Sequence, residues 1–388
     1  MKGGIYIHIP FCRNKCLYCD FYSAGARIAD WESYLRCLLR ELSIKRDEIP
    51  SDFDTLYIGG GTPSLIPGHL FEDFIQKLNM ITGSKAWKEF TIEVNPEDIN
   101  DSNLVSWKKS GVNRVSMGVQ SLNDSELKKI GRNHTSRQAI EAIKKLKENF
   151  SNISLDIIYG LPGQTVNSYE DSLNRLLTFM PQHISVYSLM LEEGTALSLL
   201  VNKNKLLLPS EDEWQAMYEI TLERLRKSGY HRYEISNFSL PGKESLHNRS
   251  YWEGLPYLGI GPGAHSYDGK KTRSWNPADL KGYIRYYSNP ESNEGNLFIS
   301  GGENIAFLRN EILSDEEVRE EYLMTRLRTS SGIELANFTL RFGILAKENL
   351  LKKSSVYIER GFLEECNDRL FFTDKGFLLS DDIISRLI

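Results

Sequence analysis

The first half of the chain alternates short apolar segments with longer amphipathic ones. The short segments are rich in β-branched and aromatic residues, which predicts strands, and the longer ones have the apolar spacing and the length of crossover helices. Repeated strand–helix pairs imply a parallel sheet, and six strands whose ends carry polar residues favour a partial (β/α)6 barrel of the α/β class over a doubly wound sheet. The predicted strands are residues 4–9, 53–58, 90–94, 114–119, 154–159 and 184–189, and the predicted helices include 31–46, 70–82, 137–149, 168–179 and 211–227.

The regular alternation stops after residue 229. The segment that follows, up to about residue 275, is rich in Gly, Pro and aromatic residues and predicts a long loop, a kind of segment that often binds a ligand. Near the end, a predicted helix over 316–328 and a predicted hairpin and helix around 370–379 indicate a small, mostly helical, winged-helix-like domain. We therefore predict three regions: the barrel over 1–229, a loop region over 230–300, and the winged-helix-like domain over 301–388.

Charge and hydropathy exclude several classes of function. The 388 residues carry 47 Lys and Arg against 52 Asp and Glu, a formal charge of −5. Binding along nucleic acid requires an excess of basic residues, so we expect no nucleic-acid partner. No segment approaches the roughly 18 apolar residues that cross a bilayer, and the first residues lack a signal-peptide core. The expected location is the cytoplasm.

The strongest chemical signal is a Cys-x3-Cys-x2-Cys pattern directly after the first predicted strand, formed by Cys12, Cys16 and Cys19. Three thiolates on one short loop can bind one face of a cubane iron–sulfur cluster and leave one iron open to another ligand. A structural zinc site is the alternative, and it would need a fourth ligand such as His8 or Asp20. Covalent c-type haem is excluded because Asp20, and not a histidine, follows Cys19.

The two remaining cysteines and two of the histidines are predicted to be structural. Cys37 lies in the apolar pattern of the first helix, and Cys366 lies near the chain's end. Both are most simply explained as small core residues. His183 opens the sixth predicted strand and His265 follows a Gly-Pro-Gly-Ala sequence. Neither histidine belongs to a ligand pattern.

Glycines and polar residues follow the other predicted strands. The turn at 59–64 contains three successive glycines, which let a ligand approach the backbone closely. Glu93 and Asp156 place carboxylates at the ends of the third and fifth strands, where ribose hydroxyls or an ammonium group need acceptors, although either could be a structural acceptor. Gln120 and Arg132 add an amide and a guanidinium that can bind a carboxylate.

The cysteine spacing resembles the defining motif of the radical S-adenosylmethionine (SAM) superfamily, in which SAM occupies the open iron of a 4Fe-4S cluster. With the strand-end residues, nearly the whole chain resembles the oxygen-independent coproporphyrinogen oxidase-like subgroup. The resemblance implies a 4Fe-4S cluster on Cys12, Cys16 and Cys19. It also implies a SAM site formed by Tyr6, Tyr18, Gly60, Gly61, Thr62, Glu93, Gln120, Arg132, Asp156 and Met190.

Two features distinguish the members of this subgroup, which are a dehydrogenase and a shorter haem chaperone. The dehydrogenase has a fourth cysteine two residues after the third and a long arm before the cluster; here Phe21 occupies that position and eleven residues precede Cys12. The sequence of 247–252, His-Asn-Arg-Ser-Tyr-Trp, matches the chaperone's haem-associated signature. An imidazole can ligate haem iron and aromatic rings can cover a porphyrin. The resemblance thus implies haem binding by His247, Asn248, Tyr251 and Trp252.

The implied function is a haem chaperone that delivers haem to an apoprotein, with a membrane-associated protein of the respiratory chain as the expected acceptor. The resemblance also implies a reductant such as flavodoxin or ferredoxin, and a homodimer. Two enzymatic alternatives stay open. One is radical oxidative decarboxylation of coproporphyrinogen III, and the other is a radical SAM reaction on tRNA, which would need a basic groove. In a structural interpretation, His247 caps a turn and Trp252 anchors the core.

Overall fold

Six parallel strands form the centre of the main sheet in the computed structural model, which describes residues 2–48, 53–84, 86–289, 296–298, 304–306 and 308–388. The strands are hydrogen-bonded in chain order, so each neighbour in sequence is a neighbour in the sheet. The predicted partial barrel is confirmed. The strands are β1 (Gly4–Ile9), β2 (Thr55–Gly60), β3 (Glu89–Val94), β4 (Arg114–Gln120), β5 (Ile153–Tyr159) and β6 (His183–Ser188).

A helix follows each of these strands and packs on the sheet. Several helices begin at a side chain that satisfies free backbone amides; Thr135, Thr165 and Ser210 each form a capping box. Among the described residues no helix is long and apolar enough to span a membrane. The crossover helices are α1 (Trp31–Ile44), α2 (Gly68–Thr82), α3 (Asp101–Lys109), α4 (Ser136–Asn149), α5 (Val166–Leu177) and α6 (Glu211–Lys227), and shorter helices span Asp124–Lys129 and Ala196–Asn202.

The core lies between the strands and the crossover helices. Strand side chains such as Ile5, Ile58 and Ile92 are fully buried, and they face helix side chains such as Leu38 and Phe74. Burial of each such side chain contributes about 1.5–3 kcal/mol. The apolar core holds the carboxyl ends of the six strands at one edge, where the polar residues lie.

The predicted long loop over 230–275 is wrong, because this segment contains strands that extend the sheet at both ends. Strand β7 (Tyr257–Ile260) pairs in parallel with β1, on the side opposite to β2. The other strands have only two to four residues and are separated by Gly and Pro turns, too short for an alternating pattern to stand out. They are His231–Arg232, Asn237–Ser239, His265–Tyr267 and Thr272–Trp275, and helix α7 (Leu246–Trp252) lies between them.

A buried carboxylate on α1 ties the barrel to the segment that follows it. Glu41 pairs with Lys45 at 2.6 Å. It also accepts hydrogen bonds from the Gly261 amide at 2.9 Å, from Asn276 Nδ2 at 2.7 Å and from the Tyr283 hydroxyl at 2.7 Å. Because all these donors surround one buried charge, removal of the carboxylate would leave several of them unpaired.

The C-terminal region is mostly helical with a small sheet, as predicted. The hairpin joins Leu363–Cys366 to Arg369–Phe372, so its first strand precedes the predicted position. The predicted boundary between residues 300 and 301 lies outside the described residues. The remaining helices are α8 (Leu280–Ser288), α9 (Asp315–Leu327), α10 (Leu335–Phe342), Ile344–Glu359, Asp374–Phe377 and Ser380–Leu387; the remaining strands are Phe11–Cys12, Ala24–Gly25, Asn296–Phe298, Asn304–Ala306, Arg309–Ile312 and Ile333–Glu334.

The residues predicted to be structural differ in how they are placed. Cys37 is buried, as predicted, whereas Cys366 is an exposed thiol on the hairpin and its predicted core position is wrong. His183 is buried, with its ring nitrogens 2.7 Å from the Ser154 hydroxyl and 2.8 Å from the Tyr233 hydroxyl. Its interpretation as a satisfied structural histidine is thereby confirmed.

Candidate functional site

A cavity of about 420 Å³ opens at the carboxyl ends of the parallel strands. The predicted cluster and SAM residues come from segments far apart in the sequence, and all of them except Tyr6 line this cavity. Parallel strands place their following loops at the same edge, which explains the convergence. The residues brought together are Cys12, Cys16, Cys19, Tyr18, Gly60, Gly61, Thr62, Glu93, Gln120, Arg132, Asp156 and Met190.

Backbone hydrogen bonds fix the loop that carries the three cysteines. The Leu17 amide donates to the Ile130 carbonyl at 3.0 Å, and the Leu17 carbonyl accepts from the Leu197 amide at 2.8 Å. The Cys19 amide also donates to the Cys16 carbonyl at 3.2 Å. The loop is thus held between the ends of two different strand–helix connections, with its thiols facing the cavity.

Two side chains donate hydrogen bonds to the thiol sulfurs. The Thr62 hydroxyl lies 3.6 Å from Cys12 Sγ, and a guanidinium nitrogen of Arg132 lies 3.4 Å from Cys16 Sγ. Burial raises the pKa of Cys12 and of Cys19, since a thiolate there loses hydration. Thiolates at this position therefore need a positive partner in addition to these donors, and the iron of a cluster supplies that charge.

A single metal ion and a cubane cluster place different demands on the three cysteines. In the described part of the chain, no three His, Cys, Asp or Glu side chains converge on one metal-binding point. Each thiolate of a cubane site binds a different iron, so its three cysteines need not converge. His8, one of the two residues considered as a fourth zinc ligand beside Asp20, has its ring nitrogens 3.1 Å from the Tyr6 hydroxyl and 3.1 Å from the Tyr22 carbonyl. Because both ring nitrogens already have partners in the protein, His8 is not free to serve as a zinc ligand.

Glu93 is a half-buried carboxylate held beside the turn that follows β2. The Tyr57 hydroxyl donates to Glu93 Oε1 at 2.7 Å, and the Gly60 amide donates to Oε2 at 2.9 Å. Burial raises the pKa of Glu93 to about 7, with nearby Asp156 acting in the same direction and Arg114 opposing it. Burial likewise raises the pKa of Asp156 to about 6. Ionisation of two neighbouring carboxyls in one cavity is costly. A cationic ligand would offset that cost, because a nearby positive charge favours the ionised form of each carboxyl.

Arg132 is fixed by acceptors that the sequence did not reveal. One guanidinium nitrogen donates to Asn95 Oδ1 at 2.8 Å and to the Gly118 carbonyl at 2.6 Å. Asn95 also lines the cavity and was missed by sequence reasoning. The available signal was its position directly after a strand, where other site residues were predicted.

Gln120 has a strained backbone and an unsatisfied side chain. Its φ is +67°, a region that non-glycine residues seldom occupy, and the β4–β5 register shifts between Gly118 and Gln120. A Cβ on Gly118 would lie 2.7 Å from Gln120 Nε2, so the glycine makes room for this amide. Gln120 Oε1 is buried in the cavity wall with no hydrogen-bond partner. A ligand hydroxyl or amino group would satisfy it.

Close backbone packing shapes the glycine turn after β2. The Gly61 amide donates to the Ile9 carbonyl at 2.7 Å. A Cβ on Gly61 would lie 2.8 Å from the Phe11 carbonyl oxygen, so no larger residue fits without a shift of the cysteine loop. Met190, with 64% of its side chain exposed, lines the opposite part of the cavity. Tyr6 lies behind the cavity wall, where its ring packs near that of Tyr57.

The His-Asn-Arg-Ser-Tyr-Trp sequence forms helix α7, and a carboxylate from β3 caps its first turn. Glu89, only 3% exposed, accepts hydrogen bonds from the Leu246 amide at 2.9 Å, from the His247 amide at 2.9 Å and from the Ser245 hydroxyl at 3.1 Å. A negative charge at a helix N-terminus also interacts favourably with the helix dipole. This contact fixes α7 against the barrel and was missed by sequence reasoning.

His247 is buried, and both of its ring nitrogens have partners. Nδ1 lies 2.8 Å from the Thr55 hydroxyl and Nε2 lies 2.8 Å from the Tyr251 hydroxyl. The ring stacks on Tyr57 at 5.1 Å, and Tyr57 in turn donates to Glu93. Burial lowers the pKa of His247 to about 3, so the imidazole is neutral at physiological pH. The arrangement connects α7 with Glu93 in the wall of the 420 Å³ cavity.

The other three motif residues lie on the outer part of α7. Asn248 is half-buried, and its backbone amide donates to the Ser245 hydroxyl at 3.3 Å. Tyr251 and Trp252 are half-buried and line a second, smaller cavity. The motif is therefore divided, with His247 facing the barrel and the aromatic pair facing a different space.

Two different family models match the N-terminal and the C-terminal parts of the chain. The model of the Radical SAM superfamily matches residues 6–176, which contain the three cysteines, most of β1 and all of β2 to β5. The model of the HemN C-terminal domain matches residues 313–379, which contain α9, α10 and the hairpin. The two matches agree with the predicted resemblance.

Curated relatives and a solved structure match the chain over its whole length. The protein named Heme chaperone HemW of Lactococcus lactis is 34% identical over 388 residues, covering 100% of this chain and 97% of that protein. The Heme chaperone HemW of Bacillus subtilis is 34% identical over 392 residues, covering 100% and 99%. The solved structure of coproporphyrinogen III oxidase (HemN) from Escherichia coli has a TM-score of 0.83 at 22% identity, covering 100% of this chain and 90% of that chain. That structural likeness concerns the fold alone.

Proposed function

This chain belongs to the HemW family within the radical SAM superfamily, and from this we propose that it binds a 4Fe-4S cluster, SAM and haem, and delivers haem to apoproteins. The observation that carries the proposal is the full-length identity to the two HemW proteins. Phe21 supports the same choice, because the dehydrogenase of the subgroup has a cysteine there. The likeness to HemN extends to the fold and gives no reason to prefer decarboxylation.

We propose that Cys12, Cys16 and Cys19 hold the cluster and that the rest of the cavity holds SAM. When bound, the cluster can supply an electron to the SAM sulfonium. Among the chain's own residues, Glu93 and Asp156 accept hydrogen bonds from cationic or hydroxyl groups of the ligand. The loss of hydration that raises their pKa values also strengthens these interactions, since charges attract more strongly where there is less water.

For haem we propose contacts along α7, with His247, Asn248, Tyr251 and Trp252. The His247 imidazole is neutral, which suits a metal ligand. Its Nε2 can reach iron only after the contact with the Tyr251 hydroxyl breaks. Iron ligation by His247 therefore requires a local rearrangement of α7, which would also disturb the stacking on Tyr57.

Haem titration of the protein with an anaerobically reconstituted cluster tests the proposal. We expect about one haem per chain, because specific ligand sites are few in a protein, and transfer of that haem to a haem-requiring apoprotein. His247→Ala is expected to weaken haem binding by about tenfold or more through loss of an iron ligand. Metal-free protoporphyrin should bind both forms equally. Absorption spectra of the bound haem report the loss of imidazole ligation directly.

The matched control for that variant is His265→Ala, since His265 is an exposed imidazole that stacks on Trp275 outside the motif. Unchanged haem affinity in His247→Ala would remove His247 from the haem site. A wild type that binds no haem, or that forms protoporphyrinogen from coproporphyrinogen at an enzymatic rate, would contradict the proposed function.

SAM affinity is expected to rise with pH across the range in which the two cavity carboxyls ionise. Their pKa values of about 6 for Asp156 and about 7 for Glu93 lie above the ordinary values, so at lower pH both are protonated and cannot pair with the SAM cation. The folding stability of the ligand-free protein depends on pH in the opposite direction. A raised pKa in the folded state contributes stability below the ordinary value of 4.5, and that contribution is lost as pH rises to about 7.

Calorimetric SAM titrations of the cluster-loaded protein at pH 5.5, 6.5 and 8, values chosen to bracket about 6 and about 7, measure this dependence. Glu93→Gln cannot ionise, and it is expected to flatten the upper part of the profile and to weaken binding at the highest pH. A wild-type affinity that is constant or that falls with pH would overturn the proposed role of these carboxyls.

The remaining parts of the proposal concern partners and location. All five cysteines are free thiols, and a cluster site needs reduced cysteines, so we propose that the protein works in the cytoplasm. We further propose a flavodoxin or ferredoxin as the reductant, a membrane-associated respiratory apoprotein as haem acceptor, and a homodimer. Mixing of haem-loaded protein with membranes that contain apo-cytochromes would test the acceptor.

A further inference from the structure

A second cavity, of about 170 Å³, lies where α7 and β7 meet the C-terminal helices α9 and α10. Its wall combines tyrosine rings with guanidinium groups, although the chain as a whole carries a formal charge of −5. The side chains that matter for its chemistry are Tyr251, Tyr257, Tyr322, Arg273, Arg326 and Arg341.

The acidic residues of this cavity are already paired. Glu321 forms an ion pair with Arg273 at 2.8 Å. Glu253 forms an ion pair at 3.0 Å with Arg249, which does not line the cavity. Arg273 Nε is buried without a hydrogen-bond partner. The carboxylates of the wall therefore leave at least two guanidinium groups uncompensated.

Those two groups are Arg326 and Arg341, and the ring of Tyr322 positions both. Their guanidinium carbons lie 5.4 Å and 5.0 Å from the ring centre. Arg326 also donates to the Glu253 carbonyl at 3.2 Å. Within the part of the chain that the structure describes, neither has a carboxylate partner. Cations held on an aromatic ring are preorganised for an anion, and guanidinium groups pair with carboxylates through two parallel hydrogen bonds.

The other aromatic residues of the wall suit a flat apolar ligand. The rings of Tyr251 and Tyr257 meet edge to face at 4.6 Å, and Trp252 is adjacent. Aromatic walls next to paired cations fit a molecule that joins an aromatic plane to carboxylates. On the basis of the proposed function, we propose that this cavity receives the propionate edge of haem, with Arg326 and Arg341 binding the two carboxylates.

The size of the cavity determines how much of the ligand it can hold. Cavities that enclose a whole drug-sized ligand measure roughly 300–1,000 Å³, and this one measures about 170 Å³. It therefore takes one edge of the porphyrin and leaves the rest of the macrocycle accessible. A chaperone must release its cargo, and partial enclosure is compatible with transfer.

Titration with two porphyrins and four forms of the full-length protein tests this inference. The proteins are wild type, Arg326→Gln, Arg341→Gln and, as the control, Arg360→Gln, which removes an exposed charge outside the cavity. The ligands are haem and its dimethyl ester, which lacks the carboxylates. We expect each cavity variant to weaken haem binding by about tenfold, since a charge-assisted hydrogen bond is lost. Affinity for the ester should not change, and Arg360→Gln should match wild type.

Iron content of the reconstituted cluster and the thermal midpoint confirm that each variant is folded. Wild-type haem affinity in both cavity variants would overturn this inference and leave the proposed function intact. Equal losses for haem and ester would overturn it too, because the arginines would then act through the structure and not through the carboxylates. A wild type that binds neither porphyrin would refute the proposed function and this site together.

Discussion

Cys12→Ala is expected to abolish iron binding. The reconstituted wild type should hold about four iron atoms and four sulfides per chain, the content of a cubane cluster. Cys12 lies at the cavity wall and its sulfur accepts a hydrogen bond from Thr62. With one thiolate removed, two cysteines cannot hold the cluster against solvent, and the iron content should fall to a few per cent of the wild-type value. Iron and sulfide assays after anaerobic reconstitution, with electron paramagnetic resonance of the reduced protein, measure this.

The chain provides two matched controls for this experiment. Cys37→Ala removes a buried thiol and Cys366→Ala removes an exposed one, and neither residue lines the cavity. Both variants should keep the full iron content. A Cys12→Ala protein that retains four iron atoms would contradict the proposed cluster site, as would a wild type that holds zinc and no iron.

Glu89→Ala is expected to release α7 from the barrel. The substitution leaves the amides of Leu246 and His247 and the hydroxyl of Ser245 without their acceptor in a buried position. A buried donor left without its acceptor costs about 1–3 kcal/mol. Hydrogen exchange followed by mass spectrometry should show faster exchange over residues 245–252, and haem affinity should fall because the motif loses its fixed position.

Glu148→Ala is the control, as it makes the same change at an exposed position on α4. Glu89→Gln keeps one acceptor oxygen and should recover part of the protection from exchange. Unchanged exchange over 245–252 in Glu89→Ala would contradict the role of this carboxylate. If Glu89→Ala does not fold, the comparison of Glu89→Gln with wild type still tests it.

The sequence predicted the barrel well because its signal is local. Strands of six or seven residues with fully buried faces produce long apolar runs, and all six were located to within two residues. Helix α3 was not among the predicted helices, since its nine residues include few apolar ones. The short strands after 229 escaped prediction because they depend on pairing with distant strands such as β1.

The residues of the candidate site were predictable where a reactive or charged side chain directly follows a predicted strand. Cysteines at fixed spacing, and carboxylates such as Glu93, stand out in the sequence. The roles of Tyr57, Asn95 and Glu89 depend on contacts with residues far along the chain, and local pattern does not encode those contacts. Burial of His247 was also missed, because a polar residue on a seven-residue helix gives no sign of which way it faces.

Strand β1 is bordered on both sides, by β2 and by β7. A fragment cut after residue 229 would retain every strand of the predicted barrel, but β1 would lose one of its two neighbours and would expose a row of unpaired amides and carbonyls. Bare edges of this kind promote aggregation. The segment that contains residues 247–252 is consequently not a detachable module added to a self-sufficient barrel. Its strand β7 pairs with β1 and so completes the sheet of the barrel. The barrel and this segment therefore cannot be exchanged independently, either by recombination in evolution or by design.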